Sequence, residues 1–258
     1  MNAAINIVRL LVFPAVEVSA IVLAWISWSR SLVRFAACIL LGAVALSYSL
    51  HIVFHEVVHR RYFRRQPFRV ISELLISLLL GTPFSEYYQS HWRHHRYTNL
   101  IQDSTSTWRM TSSGVHPRGF WSYSLGWMGI SSRAIKALVR EKRTGELSND
   151  IVRKIYCQGA LLLVLHCSLL LLAPALWFAY VLTIYFGYVG IAAINYLQHP
   201  PRVYGSGYTT SFHSHFYNAV FYNNGLHFEH HERMQAPIVH LKPTNDSGQI
   251  YRVGHGLS

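Results

Sequence analysis

The sequence predicts an all-α integral membrane protein: four transmembrane helices, a short interfacial helix, and a cytosolic helical cap holding a histidine-rich di-metal site, all in one domain over residues 1–258. Three observations predict it. Hydrophobic residues make up 51% of the chain and charged residues only 13%, a balance more apolar than that of ordinary soluble domains. Four apolar runs come close to the ~20 residues that a helix needs to cross a bilayer. The chain also has 16 histidines, and most of them cluster near the ends of those runs.

The first run covers about 10–28. Its start, "MNAAINIVRLL", lacks a strongly basic region and a small-x-small cleavage site, so a retained helix is expected. The second run covers about 33–54 and leads into "HRRYFRRQPFR", with Arg60, Arg61, Arg64, Arg65 and Arg69. By the positive-inside rule this segment is cytosolic, as is the basic stretch from Glu86 to Lys154. Arg30 and Arg34 in the opposite turn mildly violate that rule. Between the two basic segments, "VISELLISLLLGTPF" (about 70–84) carries Glu73 and a Gly-Thr-Pro break, which suits an interfacial or re-entrant helix. The third and fourth runs, about 155–173 and 175–197, are separated by Pro174 and read as a tight reversal between two crossings. A polar tail, about 241–258, completes the chain. Four crossings place both termini on the cytosolic side. Cys38, Cys157 and Cys167 lie in apolar runs with no C-x-x-C pair, which favours buried thiols.

The histidines carry the chemistry. "HEVVH" (His55, His59) satisfies H-E-x-x-H, in which two histidines hold zinc and the glutamate is the base of peptide hydrolysis. "HWRHH" (His91, His94, His95) and "HFEHH" (His227, His230, His231) share a spacing of i, i+3, i+4, which gathers three side chains on one side of a helix. His199 ends "NYLQH". Placed on the four-helix topology, all of these fall on one side of the membrane, as expected of one assembled centre. A catalytic zinc takes three protein ligands and keeps one position open. Imidazole suits iron and zinc alike, but eight or nine imidazoles could supply two ions with four or five ligands each.

These strings resemble those of the membrane-bound di-iron fatty acid desaturase and hydroxylase superfamily, whose three histidine boxes flank pairs of transmembrane helices. "HHRYTNLIQD" is similar to the HH-x-YTN segment and downstream aspartate of acyl desaturases, and "NNGLHFEHH" to the approach to their last box. The likeness runs from His55 to about Leu241. It implies His55, His59, His91, His94, His95, His227, His230 and His231 as iron ligands, His199 as the ninth, and Asn195 as a water-mediated contact. It also implies two Fe ions with O2 as co-substrate, oxidation of an unactivated C–H bond in a lipid-like acyl chain, and desaturation ahead of hydroxylation. Carotenoid ketolases of the same superfamily are the nearest alternative. "ERMQAPIVHLKP" departs from the usual continuation after the last box, which leaves the substrate class open.

Other polar residues have two readings. Glu56 is a protease base or an acceptor that orients a ligand imidazole, and the missing Asn-Pro-Asp-Gly string of intramembrane zinc proteases favours the second. Asp103 either bonds a ligand histidine or sits in a surface turn. His51 lies one turn before His55, so that residues 51, 55 and 59 form a stripe, and it either joins the ligand histidines or supports them from outside. His166 reads as a bonded interior residue. His213 and His215 have no place in the resemblance, and His116, His240 and His255 read as surface residues. No cytochrome b5 signature or iron–sulfur cysteine pattern occurs, so a separate ferredoxin-like electron donor is expected. The basic face answers to headgroups and the positive-inside rule, and nucleic acid is not an expected partner.

Overall fold

The structure is a computed structural model that describes residues 3–59, 65–205, 207–244 and 250–252, with side chains described between residues 11 and 244. Arg60, Arg61, Arg64 and His255, with most of the polar tail, lie outside the described residues. In chain order the described helices are α1 (Ala3–Ser27), α2 (Leu32–Tyr48), α3 (His55–His59), α4 (Gln66–Leu80), α5 (Phe84–Tyr97), α6 (Phe120–Leu125), α7 (Met128–Thr144), α8 (Asn149–Leu172), α9 (Pro174–Gln198), α10 (His215–Val220) and α11 (His227–Glu232). Two small antiparallel sheets, which the apolar periodicity did not announce, pair β1 (Trp108–Thr111) with β2 (Gly114–Pro117) and β3 (Tyr208–Thr210) with β4 (Ile250–Arg252).

The chain divides into two compact units, the first comprising residues 1–54, 62–87 and 147–191. Among the described residues, three helices are long and apolar enough to cross a membrane: Leu32–His59, Asn149–Leu172 and Pro174–Gln198. The expected second run therefore extends five residues further as helix, through a π turn at Ser49–Phe54. The expected first run falls on α1 (Ala3–Ser27), whose side chains are described from Leu11 onward and form an apolar helical stretch to Ser27. Local chemistry sets the ends. Ser31 and Ser148 accept hydrogen bonds from the Arg34 and Ile151 amides, capping α2 and α8. Pro174 opens α9, at the helix position where its missing N–H costs nothing.

Where one interfacial run was expected, α4 starts at Gln66 and stops at Gly81, whose φ of 65° suits glycine. The chain then bends by 84° into α5. The first amides of α5 are satisfied from neighbouring helices: Phe84 donates to Ser77 Oγ at 2.9 Å and Ser85 to Gln158 Oε1 at 2.9 Å. Glu73, the charge that interrupted the apolar run, is paired with Lys154 at 2.9 Å. Cys157 and Cys167 are exposed on α8, contrary to the expected burial. A helix designed to face lipid presents apolar residues outward, so apolar sequence there does not imply burial in protein.

Small residues let α2 and α9 approach closely. A Cβ on Gly187 would lie 2.5 Å from Leu46 Cδ2, and one on Gly190 2.7 Å from Ser47 Oγ. Ser47 Oγ also donates to the Gly187 carbonyl at 2.8 Å. Gly187→Leu is expected to destabilise the chain by about 1–3 kcal/mol through overpacking. Thermal unfolding in detergent measures this, and an unchanged midpoint would contradict the close approach.

The second unit comprises residues 55–61, 88–146 and 192–258. It contains α3, most of α5, the end of α9, the short helices and both sheets. The segment after the last box folds back here: Ile238 and Leu241 pack with Leu226, the residue before His227. α7 is tied inward by Arg93, whose guanidinium bonds both Glu141 carboxylate oxygens at 2.9 and 2.6 Å, and by Arg133, which donates to the Ser104 carbonyl at 3.0 Å.

Candidate metal centre

Four segments of the second unit bring nine histidines together. α3 supplies His55 and His59, α5 supplies His91, His94 and His95, the residue after α9 is His199, and α11 supplies His227, His230 and His231. They form two groups: His55, His59, His91, His95 and His230 in one, and His94, His199, His227 and His231 in the other. Within each group the ligand atoms lie within 4.8 Å of one another.

Each three-histidine box is split between the groups. On a helix of 3.6 residues per turn, the i+4 side chain lies about 40° to one side of residue i and the i+3 side chain about 60° to the other. His91 and His95 thus turn to the first group and His94 to the second, whereas His227 and His231 turn to the second and His230 to the first. The exchange is reciprocal. His55 and His59 complete the first group and His199 the second.

The donor geometry fits metal. Nε2 atoms of His59, His91 and His95 form a triangle with edges of 2.8, 3.0 and 3.2 Å, and His230 Nε2 lies 3.1 Å from that of His95. In the second group the Nε2 atoms of His199 and His227 are 2.8 Å apart, and those of His227 and His231 3.2 Å. Ligand nitrogens about 2.1 Å from one ion and at right angles to each other would be about 3.0 Å apart. An imidazole N–H is fixed in its ring plane and cannot serve two neighbours at once, so a closed triangle of such contacts suits a shared ion better than hydrogen bonds. Burial, then the nearby imidazoles, hold His199, His230 and His231 well below the ordinary histidine pKa. They are neutral at pH 7, the form that binds a metal.

A second layer fixes these rings. Asp103 is buried and not a surface turn residue, and its Oδ2 accepts from His94 Nδ1 at 2.8 Å. Its other partners are the amides of Asn99 at 3.0 Å and Thr105 at 2.8 Å, and the Thr105 hydroxyl at 2.7 Å. Burial alone would raise the Asp103 pKa, but His94 and these bonds outweigh it and hold the carboxyl well below its usual range. Such a carboxylate–histidine pair sets the tautomer and raises the basicity of the ligand.

Asn99 belongs to the "HHRYTN" string, and its role was not legible there. With φ at 59°, tolerated by Asn, its Oδ1 accepts from the Thr107 amide at 2.8 Å, and its Nδ2 donates to the His199 carbonyl at 3.3 Å. Thr107 Oγ1 reaches the same carbonyl at 2.9 Å. The loop after the second box therefore clamps the ninth histidine. Glu229, inside the third box, is also buried; it accepts from Ser211 Oγ at 2.5 Å and from the Thr244 amide at 3.1 Å, with His213 Nε2 3.5 Å away. Its only sequence signal was an acid between the histidines of one box.

The remaining predicted residues divide. Asn195 Nδ2 donates to Tyr123 Oη at 2.6 Å and to the Thr105 carbonyl at 3.2 Å. Glu56 lies half-buried between His55 and His59 on α3. His51 stands outside both groups with its Nδ1 3.0 Å from the Ser47 carbonyl; it lies in the π turn, whose i+5 winding breaks the expected i, i+4 stripe. His166 accepts from Trp177 Nε1 at 3.1 Å, as an interior residue should. His215 and His240 are exposed, and His116 bonds Ser113 at 2.9 Å in the hairpin.

A peptidase reading of "HEVVH" gains nothing here, because His55 and His59 meet three further imidazoles rather than one acidic ligand and an open position. No curated protein and no solved structure matches the chain. The family model described as Fatty acid desaturase matches residues 29–251, a segment that contains all nine clustered histidines and all three apolar helices. By that match the chain belongs to the fatty acid desaturase family, a family of membrane oxidoreductases with histidine boxes.

Proposed function

We propose that the chain is a di-iron enzyme that uses O2 to oxidise an unactivated C–H bond in an acyl or similarly extended lipid chain, with desaturation as the outcome. The observation that carries this reading is the division of nine buried or half-buried histidines into groups of five and four with ligand-like spacing. Iron bound there would supply the oxygen chemistry that breaks such a bond. His55, His59, His91, His95 and His230 would hold one ion, and His94, His199, His227 and His231 the other. Asp103 holds the Nδ1 proton of His94 and keeps its Nε2 free. Asn99 and Thr107 fix the backbone of His199. Asn195, with its Nδ2 committed to Tyr123 and Thr105, would approach an ion only through its Oδ1 and a water. Glu56 is assigned to orienting a ligand ring.

Desaturation removes one hydrogen from each of two adjacent carbons and reduces O2 to two waters, so two further electrons and two protons are required. A separate ferredoxin-like carrier is the proposed source of those electrons. The remaining assignments follow from helix length and charge. We take α1 as a fourth crossing, with the histidine groups and both termini on the cytosolic side, because the basic residues flank the ends nearest the boxes. The two units act as one catalytic domain, and the family match runs through both.

The test is expression with a compatible reductase, followed by mass spectrometry of total lipids and acyl conjugates. Loss of two hydrogens is the expected result. Gain of one oxygen from labelled O2 would make the enzyme a hydroxylase, and keto-carotenoids formed in a carotenoid-producing host would replace the substrate class. Protein purified without chelator should hold about two irons per chain, whereas a single zinc with peptidase activity would overturn the reading.

A further inference from the structure

We propose that α7 forms a docking face that seats on the anionic headgroups of a bilayer. α7 has two opposed sides. Its inner side packs through Ala134 and Leu138 and carries its only acid, Glu141, against Arg93. On its outer side Met128, Ile135 and Val139 lie within about 40° of one another on a helix of 3.6 residues per turn, and are 64%, 56% and 46% exposed. Exposed Lys136, Arg140 and Arg143 flank this ridge on one side and Lys142 on the other.

Scattered exposed apolar residues need no explanation. Met128, Ile135 and Val139 aligned on one side and bordered by cations are different, since this is the pattern of a helix lying in a membrane interface, with apolar side chains dipping and long basic side chains reaching the phosphates. An acidic protein partner would use the cations but would leave the central apolar ridge unexplained, whereas an anionic bilayer uses both. The face is coupled to the histidine site by its reverse side, because Glu141 holds Arg93, between His91 and His94, and Arg133 holds Ser104, next to Asp103. The proposal rests on membrane residence and not on the reaction catalysed.

The experiment uses the full chain in nanodiscs, with Cys38, Cys157 and Cys167 replaced by Ser. A nitroxide is placed at Ile135→Cys, at Val139→Cys, or at Glu146→Cys in the exposed loop as the aqueous reference. Power saturation compares collisions with O2, which concentrates in lipid, against a water-soluble nickel chelate. In bilayers containing phosphatidylglycerol, labels at 135 and 139 should meet O2 and be shielded from nickel, while the label at 146 meets nickel. Adding Lys136→Gln and Arg140→Gln, or using purely zwitterionic lipid, should lower the O2-to-nickel ratio at 135 by about fivefold or more, the effect of one basic residue at an anionic surface. Nickel access at 135 equal to that at 146 overturns the proposal. Shielding that ignores lipid charge and both substitutions overturns the anionic headgroup assignment. Shielding that arises only on adding an acidic ferredoxin makes the face a protein-docking surface instead. Circular dichroism checks each variant, and Val139→Cys keeps the test open if Ile135→Cys fails to fold.

Discussion

His199→Ala is expected to lower turnover by more than about 100-fold, beyond the range seen when only an outer partner of a metal ligand is lost, and to reduce bound iron from about two to about one per chain. His199 is the one member of the two histidine groups that no histidine box supplies. In its group of four it has no spare neighbour, and its Nε2 lies 2.8 Å from that of His227. Removing it leaves three imidazoles for one ion, while the group of five is untouched. His91→Ala should differ in kind: four imidazoles remain in its group, so more iron is retained although turnover is lost. His116→Ala, in the hairpin, should stay within about twofold of the parent, as for an ordinary surface substitution. Iron content by mass spectrometry and turnover with saturating reductant measure the three variants together. Full activity and full iron in His199→Ala would remove His199 from the centre, and dependence on His213 in its place would move the fourth ligand segment to the loop before α10.

Asp103→Asn should lower turnover by about 10–100-fold, the usual cost of losing a partner that orients a metal-bound histidine. The substitution keeps the size of the side chain and one carbonyl-type oxygen but removes the negative charge that faces His94 Nδ1 at 2.8 Å. Asp103 also holds the amides of Asn99 and Thr105, so Asp103→Ala should do more harm by releasing the loop that reaches His199. A shift in the iron reduction potential or in the Mössbauer signal of one of two iron populations separates tuning of His94 from general unfolding, which would disturb both populations. Parent-like turnover together with an unshifted signal in Asp103→Asn would show that the carboxylate does not tune the site.

Much of this site was legible because its signals are local. The i, i+3, i+4 spacing of His91, His94 and His95 and of His227, His230 and His231 requires only helical geometry to bring three rings to one side. Apolar run length located the helices for the same reason, since crossing a bilayer is a property of one segment. The helix ends were less legible. The π turn before His55, the stop at Gly81 and the 84° bend into α5 depend on winding and neighbours that hydropathy does not register. Burial of Cys157 and Cys167 was misread because lipid and protein interiors favour the same side chains.

By itself the sequence determined that this chain is a helical membrane protein with nine histidines available to hold metal, because composition, run length and residue spacing all act within a segment. Tertiary structure alone decided how the clustered histidines divide: His94 leaves its box neighbours to join His199, His227 and His231, and His230 crosses in the opposite direction. It also decided which polar residues support them, turning Asp103 from an even choice into a buried partner of His94 and making Asn99 the clamp on His199. These outcomes rest on contacts between residues up to 175 positions apart, such as His55 with His230, whose ring centroids are 4.4 Å apart. A helical periodicity fixes which way a side chain points on its own helix, but not which other helix it will meet.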